Sequence, residues 1–297
     1  MTYQEFKDAV CESLRSSLPN DTTVAVSTVT KNNDTHLDGL LIRSPSCNIS
    51  PTLYLNHYYD RLLDGENLEC LVSEILNVYL NNKPSDPIDS SFFTDYERVK
   101  HRIAFKLIHR EKNKELLSDV PFIPFLDFAV VFYCLLSSEG GCNASILIRT
   151  NHLDFWNVSK EDLFDLARQN TPVLLPVFVK SMAELLCESY PQMQEAIDAC
   201  EKPKPMVVIS NEKQLFGAAA ILYPGMLCQI ANQFENDLIV LPSSIHEVIV
   251  LPADDSVKTA AYNTMIREVN DTQVAPEEVL SDHAYFFSRR ENKLSIA

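Results

Sequence analysis

Apolar residues recur at every fourth position behind Thr2: Phe6, Val10 and Leu14 mark one face of a helix. Thr2 and Glu5 stand at S/T-x-x-E spacing, a capping box for its first turn, and Pro19-Asn20 stops it after about Ser17. "TTVAVSTVTKNNDTHLDGLLIR" then gives two β-rich segments around Asn32-Asn33-Asp34, residues that tolerate left-handed conformations, so a hairpin is expected. Ser50-Pro51 reads as a helix N-cap with proline in the first turn and Gly65 as its stop. "NLECLVSEILNVYLNN" places Leu68, Leu71, Ile75 and Tyr79 on one helical face. Residues 1–83 are thus expected as helix, hairpin and helix pair.

"NKPSDPIDSS" (Asn82 to Ser91) breaks both periodicities with two prolines, as a linker or a surface loop does. Beyond it "RIAFKLIH" alternates as a strand, and "FLDFAVVFYCLL" and "ASILIRTNHL" predict a buried antiparallel pair joined by "SSEGGCN". Asp127 is an unusual carboxylate near the start of that apolar strand. Trp156 is expected buried at a strand-to-helix corner, Ser159 caps the helix in "SKEDLFDLARQN", and another helix is read in "PVFVKSMAELLCESY". After "KPKP" come strands in "MVVIS" and "LFGAAAILY", a helix in "GMLCQIANQF" and the strand pair "DLIVLPSSIHEVIVLP". A helix from about Ser256 to Val269 and a last hairpin, "HAYFFSRRENKLSI", complete the chain. The class is α+β, largely antiparallel sheet hairpins with packed helices and no Rossmann or P-loop core. One unit over 1–297 is expected, with a division into 1–83 and 92–297 as the alternative.

Composition narrows the partners. With 25 Lys+Arg against 41 Asp+Glu the chain carries −16, which repels phosphate backbones and anionic lipid. Nucleic acid and membrane are therefore disfavoured. A 46% hydrophobic content supports a packed core, and neither GxGxxG nor GxxxxGK[ST] occurs among only 6 glycines. The 8 cysteines never form CxxC, which suits reduced thiols. The longest apolar run, Phe128 to Leu136, falls far short of the ~20 residues that span a bilayer, and the N-terminus has no apolar leader segment. A soluble cytoplasmic protein without cofactor or metal is expected.

Within Ser243, Ser244, His246 and Glu247 a hydroxyl, an imidazole and a carboxylate lie close in sequence, the residue types of a nucleophilic hydrolase. On an extended arm Ser244 and His246 share a side while Glu247 points away, and no GxSxG elbow is present. A reversal between strands is the simpler reading, with a binding role next and catalysis, oriented by Glu247 or Asp282, after it. A metal reading would join His246 and Glu247 to Asp282 and His283, but no ligand spacing supports it. The basic segment "RVKHRIAFKLIHREKNK" gathers Arg98, Lys100, Arg102, Lys106, Arg110, Lys112 and Lys114 in an acidic chain. It either answers acidic surface of the same molecule or docks an anionic partner. Asp127 and His152 are a further acid/base pair to consider across the proposed hairpin.

The segments "TVTKNNDTHLDGLLI", "NISPTLYLNHYYDRLLDG", "FGAAAILYPGMLCQIANQFENDLIVLPSSIHEVIVLP" and "EEVLSDHAYFF", in this order, resemble a bacterial family of unknown function found in anaerobic gut bacteria. "KNN", "SPTLYLN", "YPG" and "LPSSIHE" are its most specific marks. The strand pair, the pattern from Trp156 to Asn170 and the late hairpin are similar, more distantly, to another uncharacterised bacterial family. The resemblance implies a bacterial intracellular α+β protein and names no reaction. The leading expectation is a non-catalytic binding protein whose partner is an unknown protein or a small anionic ligand. Contacts are expected around Ser243 to Glu247 or along Arg98 to Lys114. A hydrolase using Ser243 or Ser244 with His246 is the alternative, and a nucleic-acid-associated defence or mobile-element factor the third reading.

Overall fold

The capping box at the N-terminus forms. In the computed structural model, which describes residues 1–45, 50–83, 93–137, 143–193, 205–254, 256 and 258–297, Glu5 N–H donates to Thr2 Oγ1 and Thr2 N–H to the Glu5 carboxylate at 2.7 Å. Helix α1 (Tyr3–Ser17) buries Phe6, Val10, Cys11 and Leu14. Strands β1 (Thr23–Thr30) and β2 (His36–Arg43) pair antiparallel, joined through Asn33 and Asp34 in left-handed conformations. Leu68 to Asn82 form the expected helix, α3, after α2 (Asn56–Leu63).

The helix expected from Ser50-Pro51 does not begin there. Thr52–Tyr54 instead form β3 against Leu41, Leu40 and Gly39 of β2, since a β-branched and an aromatic residue beside an open ladder pair in preference to coiling. Asn56 then bonds the Asp38 amide and the chain turns helical. The chain divides into two compact units, Met1–Lys31 with Thr35–Phe93, and Asn32–Asp34 with Thr94–Ala297. The first is the β1-β2-β3 sheet with Phe6, Leu14, Leu40, Leu71 and Ile75 in its core. Residues 84–91 of the linker candidate lie outside the described residues, as do 138–142 and 202–204 of the turns expected in "SSEGGCN" and "KPKP".

The second unit starts with α4 (Tyr96–Val99) and builds a four-stranded sheet on β6 (Phe128–Ser137). β4 (Ile103–His109) lies along one side of β6, and β5 (Phe122–Phe125) and β7 (Asn143–Leu147) lie along the other. Phe128 to Leu135 are buried without alternation, so both faces of β6 are covered, which accounts for the unbroken apolar run. α5 (Thr150–Trp156) and α6 (Lys160–Leu174) follow, the latter capped by Ser159. β8 (Val177–Ser181), α7 (Met182–Ser189) and β9 (Val207–Asn211) lead to α8 (Met226–Phe234). β10 (Leu238–Pro242), β11 (Val248–Pro252), α9 (Thr259–Gln273), β12 (Tyr285–Ser288) and β13 (Lys293–Ile296) complete a six-stranded sheet of order β13-β12-β10-β11-β9-β8.

Three expectations change. "NHL" belongs to helix α5. "PVFVKS" is a strand whose last residue, Ser181, caps α7 with Glu184, because Val-Phe-Val favours the pleated edge and only the hydroxyl starts the helix. Gly217–Leu222 coil as a short 3-10 helix where a strand was expected, since small alanines pack closely behind left-handed Phe216. Every strand pairing among the described residues is antiparallel, the architecture of an α+β protein. No helix among them is long and apolar enough to cross a membrane.

Candidate functional site

Residues 243–247 close the β10–β11 hairpin. Ser244 N–H donates to Glu247 O at 3.2 Å, and the Ser244 hydroxyl accepts from the His246 amide at 3.0 Å, a local turn bond of the kind serine supplies. Ser243 Oγ donates to Glu247 Oε1 at 3.3 Å. Ile245 is buried and its amide donates to Glu278 O at 2.8 Å. The His246 imidazole turns elsewhere. Its Nδ1 lies 3.2 Å from the Phe216 amide and 3.0 Å from Gln214 O, accepting from the first when bare and donating to the second when protonated. Its Nε2 is 3.7 Å from Glu278 Oε1. The structure therefore brings Ser243 to Glu247 and Ser244 to the His246 backbone, and brings neither hydroxyl to the imidazole.

The loop that receives His246 is built by Asn211, fully buried at the end of β9. Its carbonyl accepts from the Lys213 and Leu215 amides and its NH₂ donates to Leu215 O. Gln214 and Phe216 both adopt left-handed backbone, uncommon for these residues. Gly217 is required for a different reason: a Cβ there would meet His246 O at 2.6 Å and Asn211 N at 2.7 Å, and would overlap Ser210 Oγ. Ser210 Oγ in turn donates to His246 O. Held this way, the Phe216 ring stacks on the His246 ring with centroids 5.6 Å apart and planes at 17°. Lys106 Nζ stands 4.0 Å from the same Phe216 centroid, and Tyr133 meets that ring edge-on at 5.2 Å.

Phe216 thus joins the two stretches singled out in the sequence, through Lys106 from the basic segment and His246 from the hairpin turn. Four cations of that segment lie against carboxylates. Lys100 bonds Glu97 at 2.6 Å, Arg110 approaches Glu111 at 3.7 Å, Lys114 reaches Glu111 at 3.1 Å and Lys112 reaches Asp282 at 2.5 Å. Arg98 lies in α4 and Arg102 in the turn before β4.

A second polar cluster was not assembled from the sequence. Asp127 occupies the two-residue turn between β5 and β6, after left-handed Leu126, and its carboxylate faces the segment that carries His283 and Tyr285. His283 Nε2 lies 3.0 Å from Asp127 Oδ2, and the Tyr285 hydroxyl donates to the same carboxylate at 2.8 Å. That hydroxyl is also 2.9 Å from Ser281 Oγ, which is fully buried. His109 Nδ1 accepts from the Lys112 amide at 3.2 Å, so its Nε2 carries the proton and points at Asp127 Oδ2 from 3.5 Å. Burial pushes the Asp127 carboxyl up, but the His283 and Tyr285 hydrogen bonds outweigh it and hold the group below its ordinary range. The bond to Asp127 raises His283, whereas burial lowers His109. The Asp127–His152 pair considered from the sequence is not formed: His152 Nδ1 accepts from the Arg149 amide at 3.0 Å and its ring lies against Trp156. The reason is geometric, since His152 lies in α5, after the strand that pairs with β6 has ended.

Asn32–Asp34 belong to this unit as well. Fully buried Asn113 donates to Asn32 Oδ1 at 3.0 Å and to His109 O at 2.8 Å, while Asn33 Nδ2 donates to Pro276 O and Val279 O, both at 2.8 Å. The two asparagines of "KNN" therefore bond backbone far along the chain. Among the described residues no group of three His, Cys, Asp or Glu side chains is placed to hold a metal, and the five cysteines are free thiols.

Two compact units with antiparallel sheets, polar turns satisfied from within and one carboxylate cluster define an α+β protein without a nucleotide-binding or metal-binding signature among the described residues. The chain belongs to the Family of unknown function (DUF5688), whose model matches residues 3–289. No curated protein and no solved structure matches it.

Proposed function

We propose that the protein works by binding, and that the row formed by Lys106, Phe216 and His246 is its contact surface for a small anionic ligand in the cytoplasm. The observation that carries this reading is Lys106 Nζ at 4.0 Å from the centroid of a ring that stacks on an imidazole, one cation and one imidazole sharing a single aromatic ring. Phe216 is held there in a left-handed conformation, a local cost of ~1–3 kcal/mol that surrounding contacts must offset and that is concentrated at functional sites. The hydrolase reading has less support, because Ser243 bonds Glu247 and Ser244 bonds the His246 amide. Pairing of Lys100, Lys112 and Lys114 with carboxylates weakens the nucleic-acid reading in the same way.

Thermal melting with inorganic phosphate, citrate and AMP as probes tests the proposal, with wild type beside Lys106→Met. One of these anions is expected to raise the wild-type midpoint saturably by roughly 3 °C or more, and Lys106→Met to abolish the rise. Equal shifts in both proteins, or none with any probe, would remove the anion site from this surface.

A further inference from the structure

The first unit has an open strand edge with a ready ladder. Among the described residues β1 pairs only with β2, and its eight residues, "TVAVSTVT", include no lysine, proline or bulge of the kind that blunts exposed edges. The orientation of its backbone follows from three contacts. Lys31 N–H bonds Thr35 O at 2.8 Å, and bonded pairs alternate along an antiparallel ladder, so Thr23, Ala25, Ser27 and Val29 face β2. Val24, Val26 and Thr28 therefore turn their N–H and C=O groups to the open side. Arg15 Nη2 agrees, reaching Val24 O from α1 at 2.9 Å. Asp38, opposite Thr28, agrees too, directing its own amide and carbonyl away from β1 to Asn56 Oδ1 and the Leu55 amide.

Helix α1 runs beside this edge in the opposite direction, with Arg15 near Val24 and Lys7 bonded to Asp38 at 2.8 Å. Between helix and strand lies a groove of about 660 Å³ whose walls include Asp8, Cys11 and Glu12 on one side and Val26 and Thr28 on the other. Its two cations are already engaged, Lys7 by Asp38 and Arg15 by a carbonyl. Asp8 and Glu12 are exposed and, among the described residues, in no ion pair. Lys7 offsets Asp38, and Asp8 and Glu12 outnumber Arg15, so the net charge of the groove is negative.

We propose that the open side of β1 binds an extended peptide segment of a partner protein, added as a fourth strand, with a lysine or arginine opposite Val26. Backbone groups of an edge strand are satisfied by another extended backbone, and a groove beside the strand reads alternate side chains. Residues directly opposite each other share a face, so the partner residue across from Val26 enters the groove. Its aliphatic stem lies on Val26 and Cys11 and its charge reaches Asp8 and Glu12, the geometry a long basic side chain adopts over apolar surface. The surface lies in a different unit from Phe216 and takes a different class of partner. Loss of peptide binding therefore leaves anion binding at Lys106 intact, and the reverse holds.

The test is selection of phage-displayed random linear peptides on the full chain, counter-selected on Val26→Pro. Proline at this outward-facing position deletes one open N–H and leaves the bonds to β2 in place. Enriched peptides are expected to carry a basic residue and to bind wild type at least roughly tenfold more tightly than Val26→Pro, and Glu12→Lys is expected to cost basic peptides about tenfold, ~1.4 kcal/mol. Peptides that bind Val26→Pro as tightly as wild type, or no enrichment over the counter-selected pool while that variant keeps the wild-type circular dichroism, would overturn the proposal. So would light scattering showing a wild-type dimer that Val26→Pro makes monomeric, since a second copy would then hold the edge. If Val26→Pro does not fold, Glu12→Lys decides alone, and an unchanged preference for basic peptides overturns the proposal.

Discussion

The turn at Ser243 to Glu247 and the cluster around Asp127 are both polar and lie in the same unit, yet their bonds have different reach. In the turn each hydroxyl bonds within four positions along the chain, and only the His246 side chain and the Ile245 backbone reach farther, to Gln214 and Phe216 and to Glu278. Around Asp127 the principal bond spans 158 positions, to Tyr285, and the ring of that tyrosine packs on Phe128 with centroids 4.9 Å apart. Residues conspicuous together in a sequence bond to one another to shape a turn. Residues conspicuous alone wait for the fold to supply partners, and those partners tie distant strands.

The comparison breaks most sharply at Asp127. Asp127→Ala removes the acceptor for His283 and Tyr285 at once and leaves the fully buried phenol with Ser281 alone. Removing the acceptor of these part-buried, charge-assisted bonds is expected to cost ~2 kcal/mol, measured as a lower urea midpoint with an unchanged slope. A loss no larger than that of Ser243→Ala, whose hydroxyl makes one part-buried bond worth ~1 kcal/mol, would erase the distinction between the two regions.

Gly217→Ala tests the place where the turn packs against the Phe216 loop. The added methyl would overlap Ser210 Oγ and press on His246 O and Asn211 N, none of them the free end of a long side chain. A loss of ~2 kcal/mol is expected, with Phe216 displaced from His246. Loss of anion binding together with stability would be uninformative about Lys106. The sharper readout is therefore the histidine NMR shift of His246, which must move if its stacking partner moves, and an unmoved resonance would count against this packing.

Legibility followed the same division. The 3.6 and 2.0 periodicities of Phe6, Val10 and Leu14 and of the strands around Asn33 and Ser243 are local properties, and α1, the β1–β2 hairpin and the β10–β11 hairpin appear where they were read. Thr52–Tyr54 and Val177–Ser181 were misread because a neighbouring strand, invisible in a local window, decides between coil and ladder. Phe216 is read in the sequence only as part of a strand, since an aromatic residue carries no local sign of a left-handed bend. The glycine after it, one of only 6 in the chain, is the signal that was available. Asp127 stood out inside an apolar run, while its partners at 109, 283 and 285 share no spacing with it.

The smallest effect is also the most diagnostic, because the two histidines beside Asp127 titrate in opposite senses. His283 is raised above its ordinary 6.5 by the bond to Asp127, so its contribution is full below 6.5 and is lost as pH rises through the raised value. His109 is lowered by burial, so its contribution is present above 6.5 and is lost as pH falls below it. Asp127 and Asp282, both held under their ordinary 3.8, stay ionised throughout this window, and Lys112 is the other charged group facing the histidines. Wild-type stability is therefore expected to be highest near pH 6.5, falling as pH drops below it through His109 and as pH rises above it through His283. His109→Phe leaves the His283 limb alone, and its urea midpoint should hold below pH 6.5 and fall as pH rises above it. His283→Gln leaves the His109 limb, and its midpoint should rise as pH approaches 6.5 from below and then hold. Slopes of the same sign in both variants would mean that the histidines do not share the Asp127 carboxylate, and that the strands it joins are held by the Tyr285 bond alone.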